Sequence, residues 1–264
     1  MLSGLTGLTN STGGDWGERM LNTVASQSIR HLFSKSESVE VFVRCSPSSK
    51  LLQGSIDSFK MSGRGLVIRK DFPVEEMSFE TDAVSLDFSS ILKGKITLKQ
   101  PTQAIALVTL SEEGINQSFQ AELVRKRLQN LSLPSISEFS GGLPISFTDI
   151  QIQLESGNRI RLFTETKLPD YGVVPVSMTL TLAVERRRRI GFKDPQFHLE
   201  GISERSQPVS LALGKALAEI LDNMVDLDRF DLDGVTMRIN RLETQGKKLL
   251  FSGYAQIERF PGSG

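Results

Sequence analysis

The arrangement of apolar residues along this chain predicts an α+β fold built on an antiparallel sheet. Three observations carry that expectation. Most of the chain alternates apolar and polar residues with period two, the mark of strands with one covered face. Glycine-containing turns, "ESGN" at 155–158 and "ETQGKK" at 243–248, join neighbouring strands as hairpins require. Only three stretches carry a helical period, too few for repeated strand–helix–strand units.

Gly, Ser, Thr and Asn dominate residues 3–14, so 1–14 read as a disordered tail and 15–260 as a single domain. The first helix opens at Asp15 with Glu18 three residues on as a capping box. It sets Met20, Val24, Ile29, Leu32 and Phe33 along one stripe and ends near Ser34. Val39, Val41, Val43 and Cys45 then alternate as a strand. In "SGRGLVIRK" at 62–70, Gly63 and Gly65 read as a bulge or bend in strand-rich sequence.

The stretch Ala104 to Leu110 is apolar at almost every position rather than every second one. As a strand it places Ile105 and Leu107 on one face and Ala104, Ala106, Val108 and Leu110 on the other, so both faces call for cover. A second helix starts at Ser111, with Glu112 and Glu113 in its first turn and Arg125, Lys126 and Arg127 near its far end, as the helix dipole favours. Ile115, Phe119, Leu123, Leu128 and Leu131 fall near one side of it. "NLSLPSISEFSGGLPIS" at 130–146 then divides the chain as a loop, a lid or a linker.

Alternation resumes at Ile150, Ile152 and Leu154, and again from Val176 through Met178, Leu180 and Leu182 to Val184. The third helix runs from about Pro208 to Leu227, with Pro near its first position and Leu213, Leu217, Ile220, Leu221 and Met224 on its apolar stripe. Two closing strands, Val235 to Ile239 and Leu249 to Ile257, meet through a turn placed at Gln245 and Gly246. Strands followed by a helix thus occur on both sides of 130–146, the order expected of two related halves sharing one sheet, although no residue identity supports a duplication.

The 264 residues allow one or two domains and a substantial core. Lys and Arg balance Asp and Glu at 31 each, which sets aside nucleic acid as a partner. One cysteine excludes an internal disulfide framework and a multi-thiolate zinc site, and Cys45 reads as a small buried hydrophobe. No basic n-region opens the chain and no segment approaches the roughly 20 apolar residues of a membrane span, so a cytoplasmic location peripheral to a membrane is expected.

Catalytic signals are sparse. His31 and His198 read as ordinary structural or surface histidines, no Gly-x-Ser-x-Gly elbow or phosphate loop occurs, and Glu75–Glu76 and Glu112–Glu113 are merely adjacent. "DLDRFDLDG" at 226–234 fails as an EF-hand, because placing Asp231 and Asp233 at positions 3 and 5 puts Arg229 at position 1 and Asn240 at position 12. No catalytic residue, metal site or cofactor is expected. "ERRRRIGFKDP" at 185–195 places Arg186, Arg187, Arg188 and Arg189 at a strand end, either as a solvated hairpin tip or as a cationic lip for anionic headgroups or a membrane surface.

Residues 39–119 resemble a known family. The elements that carry the resemblance are Leu51, Leu52 and Gly54; Gly63, Gly65 and Leu66; Leu86 and Asp87; Gly94; and Val108 to Leu110 leading into a helix with Asn116. They are similar to the bacterial LmeA-like family, also catalogued as a domain of unknown function and described as phospholipid-binding. The resemblance implies a non-catalytic, membrane-peripheral lipid-binding protein with a tubular (TULIP-like) α+β architecture, its long, curled antiparallel sheet wrapped around amphipathic helices and an apolar groove holding phospholipid or another acyl lipid for transfer or sensing. On the apolar stripes, Val24, Ile105, Leu107, Phe119, Met178, Leu180, Leu182, Leu217, Leu221 and Met224 are the candidate lipid-facing wall. The alternative is a scaffold that holds a protein partner through its sheet edges and basic rim, with a filled core.

Overall fold

The alternating stretches fold into two large antiparallel sheets instead of one, with a separate two-stranded sheet of Ser55–Ile56 paired with Val84–Ser85. The computed structural model describes residues 19, 22–23, 25–27, 29–31, 33–47, 49–68, 70–91, 97–229 and 234–258. In chain order its strands are β1 (Ser38–Arg44), β2 (Ser55–Ile56), β3 (Ser58–Ile68), β4 (Phe72–Thr81), β5 (Val84–Ser85) and β6 (Thr102–Ser111). After the midpoint come β7 (Thr148–Glu155), β8 (Arg159–Leu168), β9 (Gly172–Glu185), β10 (Arg189–Phe197), β11 (Val225–Asp226), β12 (Val235–Gln245) and β13 (Lys248–Ile257). The first sheet has six strands in the order β1-β3-β4-β6-β13-β12, and the second has five in the order β11-β10-β9-β8-β7. Each half of the chain therefore lays down a four-stranded meander followed by a helix. The final hairpin then crosses back to pair β13 with β6 in the first sheet.

Asparagine side chains explain why the sheets end where they do. A primary amide carries a donor and an acceptor in the geometry of a peptide group, so it can occupy a strand edge. Asn116 donates from Nδ2 to the Ile152 carbonyl at 2.9 Å and accepts the Ile152 N–H at 2.7 Å, covering the free edge of β7. Next to it, the Glu112 carboxylate accepts the Leu154 N–H at 2.8 Å. On β12, Asn158 donates to the Leu242 carbonyl and accepts the Thr244 N–H, both at 3.0 Å. On β1, Asn22 accepts the Val43 N–H at 2.7 Å. The long edge strands are thus closed to further pairing at these points.

Three helices matter below: α1 (Glu112–Ser118), α2 (Glu122–Arg125) and α3 (Gln207–Asp222). The single long helix expected from Ser111 is broken into α1 and α2. Ser111 caps α1 as anticipated, accepting the Gly114 N–H at 3.1 Å. At the other end the Ser118 hydroxyl donates to the Gly114 carbonyl at 2.8 Å, a bond that bends helices. The chain then turns at Ala121, which is extended and buried. Leu131 leaves the helix altogether and forms a β-bridge with Ile145. Within 130–146, Ile136 and Ile145 are buried in the same core as α3.

Two large apolar clusters make most of the interior, and a small third gathers Ala104, Ala255 and Ile257 of the first sheet. Of the large ones, one joins the second sheet to α3 and takes in Leu242 and Leu249 from the first; the other joins the first sheet to Ala25 and Ile29 of the helical segment near the N-terminus. Leu110 and Phe251 pack against both. Met20, Val24 and Leu32 of the expected first stripe lie outside the described residues, as do 1–14 and Gly94. Cys45 is buried in the second cluster, as expected. Gly65, at φ 56°, is left-handed inside β3, but it is not a bulge: Arg64 pairs with Glu76 and Leu66 with Val74, so the register runs through it unshifted. At Gly253 the Arg238 carbonyl oxygen comes within 1.9 Å of where a Cβ would stand, so only glycine admits the β12–β13 irregularity between Ile239 and Arg241. The final turn lies at Gly246 and Lys247, one residue later than expected, because Gln245 pairs with Lys248.

The doubly apolar strand is β6. Ala104, Ala106 and Val108 are buried, whereas Ile105 and Leu107 are 55% and 53% exposed on the other face. That face curls: Ser38 and Glu40 of β1 and Arg241 and Glu243 of β12, from opposite edges of the sheet, line one hollow of about 520 Å³.

Candidate functional site

Where the sheets approach each other, the two short helices and the end of α3 enclose an apolar groove of about 410 Å³. Its wall is drawn from distant parts of the chain. Leu110 and Leu249 come from the first sheet, Leu182 and Phe192 from the second, Phe119 from the turn after α1, and Met224 from the residues following α3. Of the residues that line it, Ser118 and Arg127 alone are polar, and none is acidic.

Local chemistry sets each side. Asn116 and Glu112 fasten α1 to β7, so Ile115 and Phe119 turn toward the groove together with Ile152 and Leu154. Opposite, Asp222 fastens the end of α3 to β10 by accepting the Phe192 N–H at 2.9 Å and the Lys193 ammonium at 3.0 Å. The Arg189 guanidinium donates to the Asp222 carbonyl at 2.6 Å, a cation at a helix C-terminus. Burial pushes the Asp222 carboxyl up, but Lys193, the Phe192 N–H and Arg189 outweigh it and hold the group below its ordinary range. Leu221 and Met224 are thereby presented to the groove.

Four of the ten expected wall residues meet here: Phe119, Leu182, Leu221 and Met224. Met178, Leu180 and Leu217 share their periodicity but are fully buried, filling the core between the second sheet and α3. Ile105 and Leu107 stand on the open face of the first sheet, outside this groove, with Leu107 lining the hollow on that face. Val24 lies outside the described residues. Phe192, Val124, Leu110 and Leu249 also line the wall and were not among the candidates; Leu110 and Leu249 sat on apolar strand patterns, but nothing local marks which faces of separate elements will converge.

The four arginines form the tip between β9 and β10, with Arg186 and Arg187 exposed and left-handed at φ 48° and 59°. Arg187 donates to the Asn240 side chain and stacks over Tyr254, 5.8 Å from the ring centre. Arg188 pairs with Asp228, whose carboxyl is held low by that hydrogen bond, and Arg238 reaches the same carboxylate at 2.7 Å. Arg189 serves α3 as described. Three of the four arginines are therefore engaged with the chain's own groups.

The remaining polar candidates disperse. His31 is exposed, and His198 pairs through Nε2 with the Thr179 hydroxyl at 2.8 Å. Glu75 binds Lys248 at 2.6 Å while Glu76 binds Arg64 at 3.5 Å, so those adjacent carboxylates diverge. Asp231 and Asp233 lie outside the described residues, and among the described residues no cluster of His, Cys, Asp or Glu is arranged to hold a metal. Nor is any described helix long and apolar enough to cross a membrane.

No curated protein matches the chain. Among solved structures, the di-domain ARO/CYC StfQ of the steffimycin biosynthetic pathway aligns over 94% of this chain and 82% of its own at 9% identity, with a TM-score of 0.16 that carries no argument about fold. The family model described as LmeA-like phospholipid-binding matches residues 12–253, which take in the second sheet, the first as far as Gly253 in β13, helices α1 to α3 and every residue of the groove. By that match, the chain belongs to the LmeA-like phospholipid-binding family.

Proposed function

We propose that this protein is a non-catalytic lipid carrier or sensor that holds a phospholipid acyl chain in the groove between its two sheets. The carrying observation is the groove's composition: a wall apolar except for Ser118 and Arg127 suits a ligand that needs burial rather than chemistry. A groove of about 410 Å³ lies within the size range of small-ligand sites and is large enough to take an acyl chain. Each buried methylene contributes about 0.8 kcal/mol before the costs of association. The architecture is read as TULIP-like in this sense, with amphipathic helices and curled sheet sharing an apolar channel.

One observation favours a protein partner instead: Ile105 and Leu107 leave an apolar band on the open face of the first sheet. The sheet-edge form of that reading is disfavoured by the asparagine contacts on β1, β7 and β12.

Native mass spectrometry of the purified, detergent-free protein tests the reading. We expect one phospholipid or fatty acyl molecule per chain, identified after solvent extraction. A lipid-free mass that persists after incubation with phospholipid vesicles would overturn it.

A further inference from the structure

We propose that the α2 tip at the mouth of the groove is the surface by which the protein docks on an acidic lipid bilayer, Leu123 entering the interface while Arg125, Lys126 and Arg127 meet anionic headgroups. The proposal rests on the groove being an acyl-chain site. Leu123 lines the groove and is nevertheless 56% exposed, a large apolar side chain placed where a tail would pass between bilayer and wall. Arg127, four residues on, is exposed, lines the same groove and donates to the Met224 carbonyl at 3.1 Å.

Arg125 and Lys126 are exposed beside it. Within 121–128 these three cations face one carboxylate, Glu122, which pairs with Lys126 at 2.5 Å; three minus one leaves a local charge of +2 on a chain whose charges balance. An exposed leucine among basic side chains is the composition that binds anionic membranes by combining shallow apolar insertion with charge. The arginine tip between β9 and β10 has more cations, but Asp222, Asp228 and Glu185 stand against them within the fold.

Co-sedimentation with phosphatidylcholine vesicles, with and without phosphatidylglycerol, tests the docking face. The wild-type protein is expected to bind the phosphatidylglycerol-containing vesicles preferentially, and Arg125→Gln/Lys126→Gln to bind them roughly ten-fold more weakly. Neither side chain lines the groove, so loading with a fluorescent fatty acid delivered from solution stays at the wild-type level in that variant. Undiminished vesicle binding by the variant, wild-type binding indifferent to phosphatidylglycerol, or loss of binding in Arg186→Gln/Arg187→Gln instead would each overturn the docking face and leave the groove reading standing. Failure of the wild-type protein to load fatty acid from solution would overturn the groove reading itself.

Discussion

Leu180 and Met224 occupy equivalent places in the sequence pattern, each on an apolar stripe, yet a carboxylate at each would do different things. Leu180 is fully buried between the second sheet and α3, where an unpaired charge has neither water nor a partner. Leu180→Asp is expected to cost at least about 4 kcal/mol and to leave little folded protein. Met224 is half-buried and faces the groove, where water can solvate a new carboxylate. Met224→Asp is expected to cost about 1 kcal/mol while abolishing lipid uptake, because it sets a charge against the acyl chain. Urea unfolding and fatty-acid loading, run on both variants, separate the two effects; a fully loaded Met224→Asp protein would remove Met224 from the wall. The distinction was not legible in the sequence, since periodicity reports that a side chain leaves water and is silent on whether protein or ligand receives it.

At the scale of elements, the strands were legible and their termini were not. Period two found β1, β7, β9, β12 and β13 because each has one covered face, and local propensity placed a turn at 155–158, where Gly157 and Asn158 are both left-handed. The break between α1 and α2 was hidden, since no proline marks it and its cause includes a serine hydroxyl turned back on its own helix. The division into two sheets was hidden for a related reason: Asn116 and Ile152 are 36 residues apart, and Asn158 and Thr244 are 86 apart. Asn116 was visible within the family resemblance, but its task was not. Asn116→Ala strips the N–H and carbonyl of Ile152 of their partners at once, an expected loss of about 2–3 kcal/mol. Because α1 then loses its hold on β7, lipid loading should weaken along with stability, whereas Asn158→Ala, at the opposite edge, should lower stability and spare loading. Equal loading by all three proteins would show that α1 does not shape the groove.

For the whole molecule, the question is whether the two large sheets and their two main apolar clusters unfold as one body. Leu110 and Phe251 belong to the packing of both clusters, and Leu242 and Leu249, carried by the first sheet, are buried in the cluster of the second. Melting either sheet alone would strip apolar cover from the other, a cost that grows with the area shared. Asn158 adds hydrogen bonds across the same junction, from the β7–β8 turn to β12. A single cooperative transition is therefore expected in urea, coincident by far-ultraviolet circular dichroism and by fluorescence of a probe placed in the first sheet. The groove draws its wall from both sheets, so a bound acyl chain should move that transition as a unit, by about 2.7 kcal/mol when the ligand is at a hundred times its Kd. Two separated transitions, with lipid shifting only the one that reports the second sheet, would mean that the sheets fold independently and that the first contributes little to the site. A single transition that lipid displaces intact would mean that the junction between the halves and the binding groove are one and the same structure.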